Sequence, residues 1–307
     1  MNQSSHQVMG PTEWAMLVVL SAIWGGSFYF FAVIIKELPV FTIVFFRVFL
    51  ASAALWAFLL LTRQTVSITS TMWKNFFLMG FFNNVIPFSL IVWGETKVAP
   101  GLAAVLNATT PFFSVIVAHL STQNEKLTWN RMAGALVGLS GVAALVGFDA
   151  MKNLGSDLVY QLAIVGASIS YGICTIFGRR LAGIPPLVSS ASQTAASSLM
   201  LLPLMFFIDQ PQYLNMPSTN VLVSLLALAL LCTATAYVIF FNIVKRAGMT
   251  NVTLVTFLVP VSAMMLGALF LNEQISTRHF LGMAVIGIGL ALIDGRIPRK
   301  LAQTLRG

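Results

Sequence analysis

Ten apolar stretches, each of roughly 20 residues, fill nearly all of this 307-residue chain, and roughly 20 residues is what a helix needs to cross the hydrocarbon of a bilayer. They fall at 14–35, 41–61, 73–94, 100–120, 128–147, 158–178, 187–208, 219–243, 249–271 and 279–294. Helix breakers separate them: Pro39, Pro100, the Asp149–Asp157 segment, Pro185–Pro186, Pro211, Pro217 and Gly248. Runs such as Phe41 to Leu61 and Val221 to Ile243 do not alternate, so they are not the strands of a membrane barrel. Charged residues are 8% of the chain, against about 25% in soluble domains. The fold class expected is therefore an all-α polytopic membrane protein.

The stretches form two similar sets of five. Because five is odd, a second copy of the first set enters the membrane from the opposite side. Two inverted five-helix repeats are the plan of many alternating-access transporters, whose substrate site lies near the midplane between the halves. The expected organisation is a first repeat at 1–147, an external linker at 148–157, a second repeat at 158–294 and a basic cytoplasmic tail at 295–307.

Charge sets the orientation. Arg63, Lys74, Lys126, Arg131, Arg179, Arg180, Lys245, Arg246, Arg296, Arg299, Lys300 and Arg306 fall on one side of this layout, against Lys36, Lys97, Lys152 and Arg278 on the other. The positive-inside rule puts the first group and both termini in the cytoplasm. The net charge of +8 is thus spread along helix ends, and no nucleic-acid partner is expected. No Lys or Arg precedes Lys36, so 14–35 reads as a retained helix and not as a signal peptide. Cys174 and Cys232 are the only cysteines. No disulfide framework, metal site or cofactor is expected.

The repeat is visible in detail. Pro111, Asn124–Glu125, Gly134 and Gly141 are matched in order by Pro260, Asn272–Glu273, Gly282 and Gly289. Trp24-Gly25-Gly26-Ser27 matches Tyr171-Gly172-Ile173-Cys174, and Pro39 matches Pro185 or Pro186. Arg47 has no partner, since Gln193 or Thr194 stands in its place. An intramembrane proline, a loop glutamate and a glycine-bearing last helix in each half resemble the drug/metabolite transporter superfamily in its EamA branch. Trp24–Phe28 and Phe46–Arg47 are similar to that branch as well. The resemblance spans about 14–294. It implies a ten-helix exporter of amino acids or other small metabolites in a bacterial inner membrane. Within the branch the chain is most similar to the aromatic-amino-acid exporters.

Polar groups in hydrocarbon face the bundle interior or a wet cavity. The mid-span polar and aromatic residues are Trp24, Ser27, Asn83, Asn84, Phe88, Asn107, Thr110, Tyr171, Thr175, Thr233, Tyr237 and Thr256. These are the candidate substrate-binding residues. Asn107, Thr110, Pro111 and Ser114 share one helical face, as do Trp24, Ser27, Phe28 and Phe31. Hydroxyls of this kind also join membrane helices, at about 0.6 kcal/mol each, so packing is the competing role for every Ser and Thr. Pro87, Pro111 and Pro260 are candidate hinges, each freeing a carbonyl one turn earlier. Arg47, the one basic residue within a span, is a candidate for a gating contact, a substrate carboxylate or an interfacial anchor. Glu125 and Glu273 read as helix caps or gating pairs.

Among function classes, an intramembrane enzyme lacks a Gly-x-Ser-x-Gly, a His-Glu-x-x-His or a mid-span Asp pair. A channel would show unsaturable flux. The expectation is a carrier for small solutes, acting as a monomer in the lipid bilayer, with other metabolites or drugs as alternative cargo. Every Asp and Glu lies at or beyond a span end, which favours facilitated export over proton antiport.

Overall fold

A computed structural model of the protein describes residues 9–64, 68–121, 129–146, 156–181, 183–247, 249–252, 254–274 and 276–294. The described residues form helices and connections, with no strand among them. The helices are α1 (Pro11–Ile34), α2 (Val40–Leu61), α3 (Ser70–Glu95), α4 (Pro100–Ser121) and α5 (Trp129–Val146). They continue as α6 (Ser156–Gly178), α7 (Pro186–Leu204), α8 (Thr219–Ala247), α9 (Val255–Leu271) and α10 (Thr277–Asp294). Among the described residues seven helices are long and apolar enough to cross a membrane, fewer than the ten stretches of the sequence. The other three, α5, α9 and α10, run 18, 17 and 18 residues. The Asn124–Glu125 pair, the 295–307 tail and most of the 148–157 linker lie outside the described residues, as do Lys126, Lys152 and the four tail cations.

Large apolar side chains such as Leu61, Phe207, Val223 and Leu269 are exposed on the outer faces, as a lipid-facing surface requires. Inside, the helices pair in a pattern that repeats. α1 packs on α9 as α6 packs on α4, α3 packs on α6 and α7 as α8 packs on α1 and α2, and α2 meets α7 while α5 meets α10. Gly25 and Gly172 explain two of these contacts. A Cβ on Gly25 of α1 would lie 2.7 Å from Ser262 Cβ of α9, and one on Gly172 of α6 would lie 3.0 Å from the Phe113 carbonyl carbon of α4. Each glycine lets its helix come close to the partner two residues beyond Pro260 or Pro111. α3 and α8 each carry a π turn, at Phe81–Val85 and Leu230–Thr235. Such turns insert a residue and swing the following side chains around the axis.

One end of the bundle is tied across. Thr42, in the first turn of α2, donates its N–H and Oγ1 to Asp209 Oδ2 at 2.6 and 2.9 Å. Ser218, the N-cap of α8, donates its N–H and Oγ to Glu37 at 2.7 Å each. The N–H of Ser218, then its hydroxyl, hold the Glu37 carboxyl below the usual carboxylate range, so this tie holds at neutral pH and weakens as acid protonates Glu37. Asn272 ends α9 in a left-handed conformation, φ 54°, which asparagine tolerates. The turn delivers Glu273 Oε2 to the Gly101 N–H of α4 at 3.2 Å. Partial burial pushes the Glu273 carboxyl up from its ordinary range, against the Gly101 hydrogen bond. Glu273, which reads in the sequence as a helix cap or a gating pair, thus accepts from the second residue of α4.

Candidate functional site

A cavity of about 840 Å3 occupies the middle of the bundle. Ligand pockets run at about 300–1,000 Å3. Residues from α1, α2, α3 and α4 line it together with residues from α6, α7, α8 and α9. It reaches the surface at the α6–α7 connection, where Gly183 and Pro186 are exposed and line it. The other end is filled by the largest apolar cluster, including Phe31, Ile34, Ile43, Val44, Val92 and Val98.

Eleven of the candidate residues meet in this cavity: Trp24, Ser27, Asn83, Phe88, Asn107, Thr110, Tyr171, Thr175, Thr233, Tyr237 and Thr256. Trp24 and Tyr171 come from the two glycine-bearing faces, so close packing at Gly25 and Gly172 sets both rings against the cavity. Trp24 also contacts Phe240 of α8, ring centroids 5.7 Å apart. Asn83 Nδ2 donates to Gln193 Oε1 at 3.2 Å and to the Tyr237 hydroxyl at 3.4 Å. Gln193 is a lining residue, not merely the substitute for a second arginine.

Asn84 is a correction. It is wholly buried away from the cavity and donates Nδ2 to Ser197 Oγ of α7 at 2.9 Å. Neighbours on a helix point about 100° apart, and Asn83 takes the cavity side. The hinge prolines also separate. Pro260 lines the cavity and Pro87 and Pro111 do not. The Asn107 carbonyl, one turn before Pro111, accepts from Thr110 Oγ1 at 2.8 Å and Ser168 Oγ at 3.2 Å. The freed acceptor is satisfied by hydroxyls and does not depend on cavity water. The lining residues that sequence reasoning missed include Cys174, Ser189, Ser190 and Ile91.

Asn84 and Asn107 therefore give opposite expected results. Asn84→Ala removes an interhelical hydrogen bond and lowers thermal stability by roughly 1 kcal/mol. Among the described residues Asn107 Oδ1 has no hydrogen-bond partner, so Asn107→Ala strands nothing. It leaves the melting temperature unchanged and cuts flux several-fold. Melting curves in detergent and flux in vesicles check both.

Arg47 is the cation of the site. Its side chain is 5% exposed, and Nε donates to Thr233 Oγ1 at 3.0 Å. The guanidinium carbon sits 3.8 Å from the Phe88 ring centroid and 5.0 Å from that of Phe31. Among the described residues no carboxylate forms an ion pair with it. Among the described residues its terminal nitrogens have no protein hydrogen bond, and they are not among the fully enclosed unpaired atoms. They are left facing the cavity that Arg47 lines.

The sequence profile of the EamA-like transporter family matches residues 12–147 and, a second time, residues 158–294. The chain belongs to the EamA-like transporter family. It is a membrane transporter, and the two matches are two copies of one family unit. This EamA-like chain is 25% identical over 289 residues to an uncharacterized transporter of Bacillus subtilis, YoaV, covering 92% of this chain and 97% of the relative. It is 24% identical to the uncharacterized inner membrane transporter YedA of Escherichia coli, covering 90% and 89%. A solved crystal structure superposes with a TM-score of 0.66 at 17% identity, over 92% of this chain and 96% of that one, so the fold is an established one.

Proposed function

We propose that this EamA-like transporter exports amino acids with sizeable apolar or aromatic side chains, or similar small carboxylates, by alternating access. The observation that carries this is the cavity's wall. Apart from one guanidinium, which has no carboxylate partner among the described residues, it is uncharged and aromatic, with amides and hydroxyls at intervals. Arg47 takes the substrate carboxylate. Trp24, Tyr171 and Phe88 flank the side chain, and Asn83, Gln193 and Asn107 read its polar atoms.

The mechanism follows from ten spanning helices arranged as two inverted five-helix repeats. The repeated helix pairings, the Gly25 and Gly172 contacts and the matched π turns of α3 and α8 support that relation. Rocking of one repeat against the other exposes the cavity to alternate sides. With both termini cytoplasmic, the mouth at the α6–α7 connection opens inward and the tied end closes the outside.

Counterflow in proteoliposomes with a panel of labelled amino acids is the test. Saturable flux with competition among the apolar and aromatic members is expected. Unsaturable flux would make the protein a channel, and no flux with any member would sink the substrate class. Orientation is checked in intact cells. Lys97→Cys reacts with an impermeant thiol reagent directly, and Arg246→Cys only after permeabilisation. The reverse result overturns the topology.

A further inference from the structure

Glu95 ends α3 in the sealed half of the bundle. Read in the sequence it is an acid at a span end. In the structure it is 5% exposed, and neither carboxyl oxygen has a hydrogen-bond donor among the described residues. It stands one turn beyond Ile91, a residue that lines the cavity on the same helix. In the chain it lies between Val92 and Val98, two members of the apolar cluster that closes this end, and its neighbour Gly94 packs against a third, Ile164 of α6.

The groups able to influence its charge come from several elements. The charged groups that bear on it are Glu273, in the turn after α9, and Arg47 of α2. Glu273 is held against Gly101 at the start of α4, and its own Oε1 is enclosed without a partner among the described residues. α6 contributes Tyr160, whose ring packs on Trp93 at 4.8 Å. The Tyr160 hydroxyl does not donate to Glu95. An ionised carboxylate here would have neither water nor a donor, and a buried charge of that kind is not tolerated. The neutral acid avoids that cost.

We propose that Glu95 is a proton-binding site within the gate that closes the cavity on the Lys36 side of the membrane. The carboxyl O–H is intact while the gate is closed. When the gate opens, water reaches Glu95, the O–H bond breaks, the proton passes to that water and the carboxylate keeps the electron pair. Closing the gate requires the proton to return from the same side. Acid on that side therefore favours the closed gate and the opposite-facing cavity shown here, and alkali favours opening. A ligand that binds one conformation better shifts the population toward it, and here the ligand is a proton.

The inference rests on the alternating-access reading and is tested without knowing the substrate. In a background carrying Cys174→Ala and Cys232→Ala, a single reporter is placed at Ile91→Cys, with Val98→Cys as an independent second reporter. An impermeant methanethiosulfonate is applied to sealed vesicles on the face where the exposed Lys36→Cys reacts. The rate is divided by that of Lys36→Cys, which removes the thiol's own pH dependence. The ratio is expected to rise several-fold between about pH 5.5 and 8.5, bounded by roughly tenfold per pH unit for one proton. Glu95→Gln, which cannot ionise, holds the ratio at its acid value throughout. Glu95→Asp restores the slope, and replacing sodium by choline changes nothing. A reporter that reacts equally at every pH, a slope that survives Glu95→Gln, or dependence on sodium in place of protons overturns the proton site and leaves the carrier reading standing. Reporters that never react from that face at any pH overturn both.

Discussion

Arg47→Ala is expected to leave the protein folded and to cut kcat/KM for carboxylate-bearing substrates by about two orders of magnitude. Truncating one member of a buried charge pair costs about 2–5 kcal/mol, and each 1.4 kcal/mol is tenfold. The fold survives because the guanidinium holds little together. Its one hydrogen bond among the described residues is to Thr233 Oγ1, and that hydroxyl also donates to the Leu228 carbonyl at 3.1 Å, so alanine leaves no donor stranded. Removing an unpaired buried charge also removes its desolvation cost, and the melting temperature should hold or rise. Arg47→Lys keeps the charge and loses the planar fork over Phe88 and Phe31, so it restores only part of the flux. The decisive readout is selectivity. The parent protein prefers a free amino acid to its carboxamide, and Arg47→Ala loses that preference. Equal loss for acid and amide would assign Arg47 to gating and remove it from the substrate site.

The helices and their repeat are legible in the sequence because each rests on local chemistry. Hydrocarbon demands runs of apolar residues, and prolines and glycines mark where they stop. The Trp24-Gly25 and Tyr171-Gly172 pair is readable for a stronger reason. The glycine needs a close partner and the aromatic beside it is then turned into the interior, so one pattern fixes packing and cavity together. Asn83 and Asn84 are different. Both are mid-span amides, and a straight-helix count cannot decide between them where a π turn changes the phase. Glu95 is hidden more thoroughly. Its place at a helix end suggests a wetted acid, and only the packing of the folded bundle leaves it 5% exposed. Chain position reports depth along one helix, whereas burial is set by the neighbours that close over it.

The same distinction predicts the largest stability effect. α5 and α10 pack on each other through glycines at Gly134, Gly138 and Gly289, where small residues let two membrane helices approach closely. A Cβ on Gly289 would lie 2.6 Å from the Gly134 carbonyl oxygen and from the Gly138 nitrogen, and 2.7 Å from Gly138 Cα. All three are backbone atoms, which no rotamer change can move. Gly138 has no slack of its own, because a side chain there would run into the Phe112 ring of α4. Gly289→Val is therefore expected to force α5 and α10 apart. Overpacking costs about 1–3 kcal/mol where side chains can yield, and occasionally more; against backbone the upper end applies. Gly287, two residues earlier on the same helix, has nothing within 4 Å of an added Cβ. Gly287→Ala should instead stabilise by up to about 1 kcal/mol through helix propensity. Melting both variants in detergent separates the two cases. If Gly289→Val and Gly287→Ala melt alike, α5 and α10 do not pack through this seam.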